Sequence, residues 1–118
     1  MKTAIPVESP KGMDSEINDH FGMTEYFAIF EIESEEVSSF GIVKIEQSFG
    51  LTKKPSRFLK EQDVKMVLSG YIGPHMLEDL LNSGIRVFKG AVGSVEDAIE
   101  DYKAGMLTEV HSLEEMKG

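Results

Sequence analysis

Two patterns of apolar positions divide the chain into predicted strands and helices. The run Tyr-Phe-Ala-Ile-Phe-Glu-Ile over 26–32 is aromatic and β-branched, which is typical of a strand. After Pro74, whose missing N–H costs nothing in a first helical turn, apolar residues recur at helical spacing as far as Leu81. In chain order, the pattern predicts strands over 2–7, 26–32 and 37–45, a helix over 56–62, a strand over 63–68, a helix over 74–82, a strand over 85–88 and a helix over 95–104.

Turn and capping residues set the limits of these elements. Residues 33–36 are a polar hairpin connection, and Gly41 predicts a bulge in the third strand. Ser94 is a helix cap, and Gly105 ends the helix that Ser94 begins. Residues 46–54 have no period and predict a loop, whereas 106–118 predict a C-terminal tail with one short apolar element.

The order of the predicted elements defines an α/β fold. The first three strands pair as an antiparallel meander, and the later strands, each reached through a helix, pair in parallel. A mixed five-stranded sheet with helices on its faces follows. The length of 118 residues fits one domain over 1–118, of which 106–118 are the tail.

The charge and the cysteine content exclude several classes of function. Twelve basic against twenty-one acidic residues leave a formal charge of −9, which opposes binding of nucleic acid. The absence of cysteine removes disulfides, thiolate catalysis and every Cys-ligated metal or cluster site. No apolar run approaches the length of a membrane span and no signal-like stretch opens the sequence, so a cytoplasmic protein without a membrane partner is expected.

Two loops carry the residues with the most distinctive chemistry. Ligands of open α/β sheets sit beyond the carboxyl ends of the strands. The first strand runs into a loop over 8–24, and the fourth strand runs into a loop over 69–73 that opens the next helix. If these two strands are parallel neighbours, both loops lie at the same edge of the sheet. The candidate ligand-binding residues there are His20, Phe21, Gly22, Gly70, Ile72, Gly73, Pro74 and His75.

The chemistry of these loops favours an anion or a metal-containing ligand. Free amides and the positive end of a helix dipole attract anions, and glycines let the backbone approach a ligand closely. His20 and His75 add imidazoles, which makes them the candidate metal ligands. The structural alternatives are that His20 only anchors its loop, that His75 is solvated and that Phe21 packs in the core beneath the loop.

Six short segments also stand in a distinctive order along nearly the whole chain. They are Ile5-Pro6-Val7, His20-Phe21-Gly22 followed by Tyr26-Phe27, Gly70-Tyr71-Ile72-Gly73-Pro74, Gly84-Ile85-Arg86-Val87-Phe88, Val95-Glu96-Asp97-Ala98-Ile99 and Gly105-Met106-Leu107. Together they resemble the dinitrogenase iron–molybdenum cofactor biosynthesis family. The resemblance implies a ribonuclease-H-like three-layer fold and a nitrogenase-accessory protein that is not an enzyme. It also implies a carrier or chaperone that transiently binds an iron–sulfur or iron–molybdenum type cluster, or its precursor, through His20 and His75.

The partners that the resemblance implies are the metallocluster itself or cluster-assembly proteins, and the chain is expected to be a monomer or a weak homo-oligomer. Two other functions stay open. One is a regulatory or interaction domain that binds a small anion or a partner protein. The other is a ribonuclease-H-like nuclease, which needs several carboxylates on the central strands, whereas the first strand offers only Glu8 at its end.

Overall fold

Strands and helices follow one another along the chain as the apolar pattern predicts, and each of the eight predicted elements is present. The computed structural model describes residues 1–45, 47–48, 51–52 and 54–113. In chain order, the elements are β1 (Lys2–Val7), β2 (Tyr26–Glu33), β3 (Glu36–Lys44), β4 (Gln47–Ser48), β5 (Leu51–Thr52), α1 (Pro55–Glu61), β6 (Met66–Leu68), α2 (Pro74–Asn82), β7 (Arg86–Lys89), α3 (Val95–Lys103) and β8 (Thr108–Val110). Short 3-10 turns lie at Gly12–Asp14 and Phe21–Met23, inside the first predicted loop.

A mixed six-stranded sheet is the centre of the described part of the chain. Its strand order is β3-β2-β1-β6-β7-β8. β1, β6 and β7 run parallel to one another, whereas β2 and β3 form an antiparallel meander beside β1. Thr3 of β1 lies opposite Met66 of β6, which confirms that the first and fourth predicted strands are parallel neighbours. The carboxyl ends of β1, β6 and β7 therefore meet at one edge of the sheet.

The sixth strand corrects the predicted count of five. β8 lies in the segment predicted as a tail and pairs antiparallel with β7, so that Val110 lies opposite Val87. Its three residues hold one buried apolar side chain, which is too little for a period to be read from the sequence. The paired strands β4 and β5 likewise occupy part of the loop predicted over 46–54. Residues 46, 49, 50 and 53 of that loop, and 114–118 of the tail, lie outside the described residues.

Two local boundaries differ from their predicted positions. The register of β3 against β2 shifts between Ser38 and Gly41, where Ser39 has a φ of +54°, so the bulge lies just before the predicted glycine. β6 begins three residues later than predicted. The cause is local, because the Val64 amide donates to the Leu59 carbonyl (3.0 Å) and so closes the end of α1 before the strand can start.

The sheet buries apolar side chains on both faces, because successive residues of a strand point to opposite sides. On one face, Ala4 and Val67 pack with apolar residues of α1 and α2. On the other face, Ile5 and Met66 pack with apolar residues of α3. Within the described ranges, no helix is long and apolar enough to cross a bilayer. The loops at the carboxyl ends of the parallel strands therefore stand on a core that is packed from both sides.

Candidate functional site

Three loops, rather than the two that were predicted, meet at the carboxyl ends of the parallel strands. We call them together the carboxyl edge: residues 8–25 after β1, 69–73 after β6 and 90–94 after β7. The amide of Ile17 donates to the carbonyl of Gly93 (2.9 Å), and the amide of Val95 donates to the carbonyl of Ser15 (2.9 Å). These backbone hydrogen bonds join the first loop to the third.

Gly70 is the point at which all three loops come together. A Cβ atom placed on Gly70 would lie 2.5 Å from Oδ1 of Asp19 in the first loop and 2.9 Å from the carbonyl oxygen of Ala91 in the third. Contacts under 3.0 Å essentially never occur for a real Cβ atom. The close approach of the loops therefore requires glycine at this position.

The segment that carries His20 is fixed by its neighbours while the imidazole remains exposed. The amide of His20 donates to the side chain of Asn18 (2.8 Å), and the amide of Met23 donates to the carbonyl of His20 (2.9 Å). Phe21 is 2% exposed, and its ring centroid lies 5.5 Å from that of Phe27. The alternative in which Phe21 packs in the core is thus confirmed, and its ring holds the loop from below.

The loop over 69–73 has the same division between buried and exposed residues. Ile72 is 1% exposed and belongs to the core beside α2, whereas Tyr71 projects into solvent. Gly73 is the residue before the first turn of α2, and no side chain caps that end of the helix. Pro74 has no N–H, so the first turn presents the amides of His75 and Met76 without an intrahelical acceptor.

The helix α3 also begins at this edge, and side chains cap its first turn. The side chain of Ser94 accepts a hydrogen bond from the amide of Asp97 (3.2 Å), and the carboxylate of Asp97 accepts one from the amide of Ser94 (3.0 Å). This capping box gives the backbone amides of Ser94 and Asp97, at the start of α3, their hydrogen-bond acceptors. Of these two helices, only α2 therefore begins with amides that no side chain caps. Its start is also the helix end that the sequence predicts to face a ligand.

The His20 segment contacts the first turn of α2. A Cβ atom on Gly22 would lie 3.8 Å from the terminal methyl of Met76, an ordinary van der Waals separation. The two candidate metal ligands, His20 and His75, are both exposed and each stands within two residues of this contact. The structure thus brings both predicted segments to one place on the surface.

Exposed acidic side chains are present at this edge, but among the described residues they form no metal-holding cluster. In the part of the chain that the structure describes, no group of three or more His, Cys, Asp or Glu side chains is arranged to hold a metal ion. The exposed acids of the first loop are Glu8, Asp14, Glu16, Asp19 and Glu25. The clearest side-chain pKa shifts lie elsewhere, between β7 and β8, where the hydrogen bond from Arg86 lowers the pKa of Glu109 and raises the pKa of Arg86.

Sequence reasoning missed the third loop and the role of Asp19 at the Gly70 contact. The signal for the loop was present, because β7 is a parallel strand whose carboxyl end must lie beside those of β1 and β6. The segment Gly90-Ala91-Val92-Gly93 also has the glycines of a close approach. The Asp19 contact had no signal in the sequence, since it depends on how three distant segments pack.

Together, the sheet order and the flanking helices define a small α/β protein with a mixed six-stranded sheet. The chain belongs to the family described as Dinitrogenase iron-molybdenum cofactor, whose match covers residues 1–105. It is therefore a protein of the cofactor-biosynthesis, nitrogenase-accessory kind.

The chain is also similar to individual proteins over almost its full length. An uncharacterized protein of Methanocaldococcus jannaschii is 26% identical over 110 residues, which are 91% of this chain and 89% of the relative. The crystal structure of the protein PH0822 is 31% identical, with a TM-score of 0.80 over 96% of this chain and 99% of that one. The apo form of the orange protein from Desulfovibrio gigas shares the fold, with a TM-score of 0.76, 21% identity and coverage of 94% of this chain and 93% of that one.

Proposed function

We propose that the protein binds and carries an iron–sulfur or molybdenum–iron–sulfur cluster, or its precursor, during cofactor assembly or transfer, without catalysing a reaction. The observation that carries the proposal is the meeting of the His20 segment with the uncapped start of α2, seen in the approach of Gly22 to Met76. The family match supports the nature of the cargo, since its description names an iron–molybdenum cofactor.

Short-range contacts at the start of α2 suit a soft, anionic cargo, whereas the acidic side chains of the first loop oppose its approach from a distance. Amides at the start of a helix donate to anions, and the amides of His75 and Met76 are available for this. An imidazole is an accepted ligand of iron in clusters, so His20 supplies the main side-chain ligand and His75 a second one. Gly73 has open space where a side chain would stand, so the backbone before α2 can approach the cargo closely.

Transient binding follows from the same set of residues. The chain has no cysteine, so no thiolate anchors the cluster as in permanent iron–sulfur sites. Imidazole and amide contacts exchange more readily than a complete thiolate shell, which suits a protein that passes its cargo on. Phe21, Ile72 and Pro74 serve by fixing the two loops rather than by contacting the cargo.

Anaerobic reconstitution tests the proposal. The protein is mixed with a synthetic thiolate-ligated [4Fe–4S] cluster or, separately, with tetrathiomolybdate, and the desalted product is measured by absorption and elemental analysis. Wild-type protein should retain the metal and its charge-transfer bands. His20→Ala should bind at least about tenfold more weakly, and His75→Ala should show a smaller loss in the same direction.

His111→Ala is the matched control, because His111 is an exposed histidine beyond β8 and outside the carboxyl edge. It should bind as the wild type does. Retention of metal by the double variant His20→Ala/His75→Ala at the wild-type level would overturn the assignment of these ligands.

A regulatory or interaction domain for a small anion is the second candidate function, and the uncapped start of α2 is the observation that favours it. Inorganic phosphate distinguishes the two, because a general anion site would bind phosphate as well as tetrathiomolybdate. The nuclease alternative has little support, since β1, β6 and β7 carry no carboxylate. The ribonuclease-H-like classification implied by the family resemblance stays a prediction.

A further inference from the structure

Each loop of the carboxyl edge projects one large apolar side chain into solvent. Met23 is 82% exposed, Tyr71 is 65% exposed and Val92 is 69% exposed. Among the described residues, Met106 is the other large apolar side chain of comparable exposure, at 71%. Three of these four side chains therefore belong to the one edge that also carries His20.

The contacts at Gly70 and Gly22 place the three side chains around the candidate site. Tyr71 and Val92 each follow one of the two residues, Gly70 and Ala91, whose backbones meet. Met23 follows Gly22, which lies against the first turn of α2. Exposed apolar side chains clustered at a functional edge mark an interaction surface, and Tyr and Met are among the residues enriched in such surfaces.

The charges around these side chains have one predominant sign. The three loops and the residues that border them carry five acidic residues, Glu8, Asp14, Glu16, Asp19 and Glu25, against two basic ones, Lys11 and Lys89. Within the described ranges, no ion pair is formed by any of these seven side chains. The unpaired acids form a negative rim that a positively charged surface would complement.

We propose that the carboxyl edge is the docking surface for a partner protein whose contact area has an apolar centre and a rim of Lys and Arg. The docked partner would cover Met23, Tyr71 and Val92 and stand over His20. That the partner delivers or accepts the cargo rests on the proposed function. A second copy of this chain would present the same negative rim, and nucleic acid and anionic lipid are repelled by it.

Site-specific photo-crosslinking tests this surface in the cells that naturally make the protein. The photoreactive p-benzoylphenylalanine replaces Tyr71 in one chain and Asn82 in another, because Asn82 is exposed at the far end of α2. The adducts are identified by mass spectrometry down to the crosslinked peptide of the partner. The chain labelled at 71 should give at least about tenfold more adduct than the chain labelled at 82, to a partner surface lined by Lys and Arg.

Serine substitutions then test the apolar centre. In the chain labelled at 71, Met23→Ser together with Val92→Ser should reduce the adduct at least about fivefold, whereas Met106→Ser should leave it unchanged. Equal adducts at 71 and 82, an adduct to an acidic partner surface, or an adduct between two copies of this chain would each overturn the proposal.

The proposal of the docking surface and the proposal of cargo binding can be disproved independently of each other. Met23→Ser/Val92→Ser should still take up tetrathiomolybdate as the wild type does, because neither side chain is a proposed ligand. If wild-type protein binds no cluster or thiomolybdate, the proposed function fails while the crosslinking result still decides the surface. If uptake is normal and the chain labelled at 71 forms no adduct, only the docking proposal fails.

Discussion

At the scale of single residues, the site depends on positions that have no side chain. The sequence predicts Gly70 as a turn glycine that lets the backbone approach a ligand, whereas the structure places Asp19 and the Ala91 carbonyl against it. What approaches it could not be predicted, because Asp19 and Ala91 come from segments that are distant in sequence and meet only through the sheet order. By contrast, the core position of Phe21 follows from its apolar character beside the strand, and it was among the expected alternatives.

Gly70→Ala should lower the free energy of unfolding by about 1–3 kcal/mol, since the new methyl group would force the Ala91 carbonyl and the Asp19 carboxylate to move. Urea denaturation of the two proteins measures the difference. Gly41→Ala is the control, because a Cβ atom at Gly41 meets nothing within 4 Å and should be neutral or slightly stabilising. Equal effects of the two substitutions would show that the three loops do not depend on the Gly70 contact.

At the scale of elements, α2 and α3 begin at the same edge of the sheet, but a side chain caps only the first turn of α3. Ser94 was predicted as the cap of α3 from its place before an acidic first turn, and the capping box confirms it. The open start of α2 was also predictable, because Gly73-Pro74 supplies neither a capping side chain nor a first N–H. The strand β8 was missed, since three residues that gain their order from pairing with β7 carry no local signal.

Gly73→Ser separates capping from the rest of the site. Gly73 has extended backbone geometry and open space for a Cβ atom, so a serine there can accept a hydrogen bond from the first turn of α2. The stability should rise by a few tenths of a kcal/mol or stay unchanged, while uptake of tetrathiomolybdate should weaken several-fold.

Ser94→Ala should show the opposite combination. The loss of the capping box should cost about 1 kcal/mol of stability, and uptake should stay at the wild-type level. Thermal denaturation and the absorption assay report the two effects for each variant. A loss of uptake in Ser94→Ala, with normal uptake in Gly73→Ser, would place the anion at α3 instead of α2.

The pairing of β7 with β8 should depend on pH. Arg86 donates two hydrogen bonds to Glu109, at 2.9 and 2.7 Å, and these lower the pKa of that carboxyl. The folded state therefore binds the proton less tightly than the unfolded chain. The stabilisation is complete above the ordinary pKa range of glutamate and is lost as the pH falls through the lowered pKa.

Glu109→Gln should reduce stability at neutral pH by about 1 kcal/mol or less, because Arg86 is nearly half exposed and solvent weakens the pair. As the pH falls below the lowered pKa of Glu109, the variant and the wild type should converge. Denaturation midpoints measured across this range give the comparison. A difference that stays constant with pH would show that the ion pair does not contribute.

At the scale of the whole molecule, the formal charge of −9 opposes the approach of an anionic cargo. Under the proposed function, affinity would come from short-range contacts with the free amides of α2 and the imidazole of His20. The charge could be read from the sequence, and so could the α/β class and the shared edge of the first and fourth strands. The meeting of three loops could not, because it depends on tertiary packing that no local pattern encodes.

The most direct test is an anaerobic NMR titration with tetrathiomolybdate, a diamagnetic molybdenum–sulfur dianion. The proposal predicts saturable shifts that are largest for the amides of His75 and Met76 and for the segment His20 to Gly22, with Asn82 at the far end of α2 unchanged. Shifts centred on the opposite edge of the sheet, around Arg86 and Lys103, or the absence of any saturable shift, would contradict it.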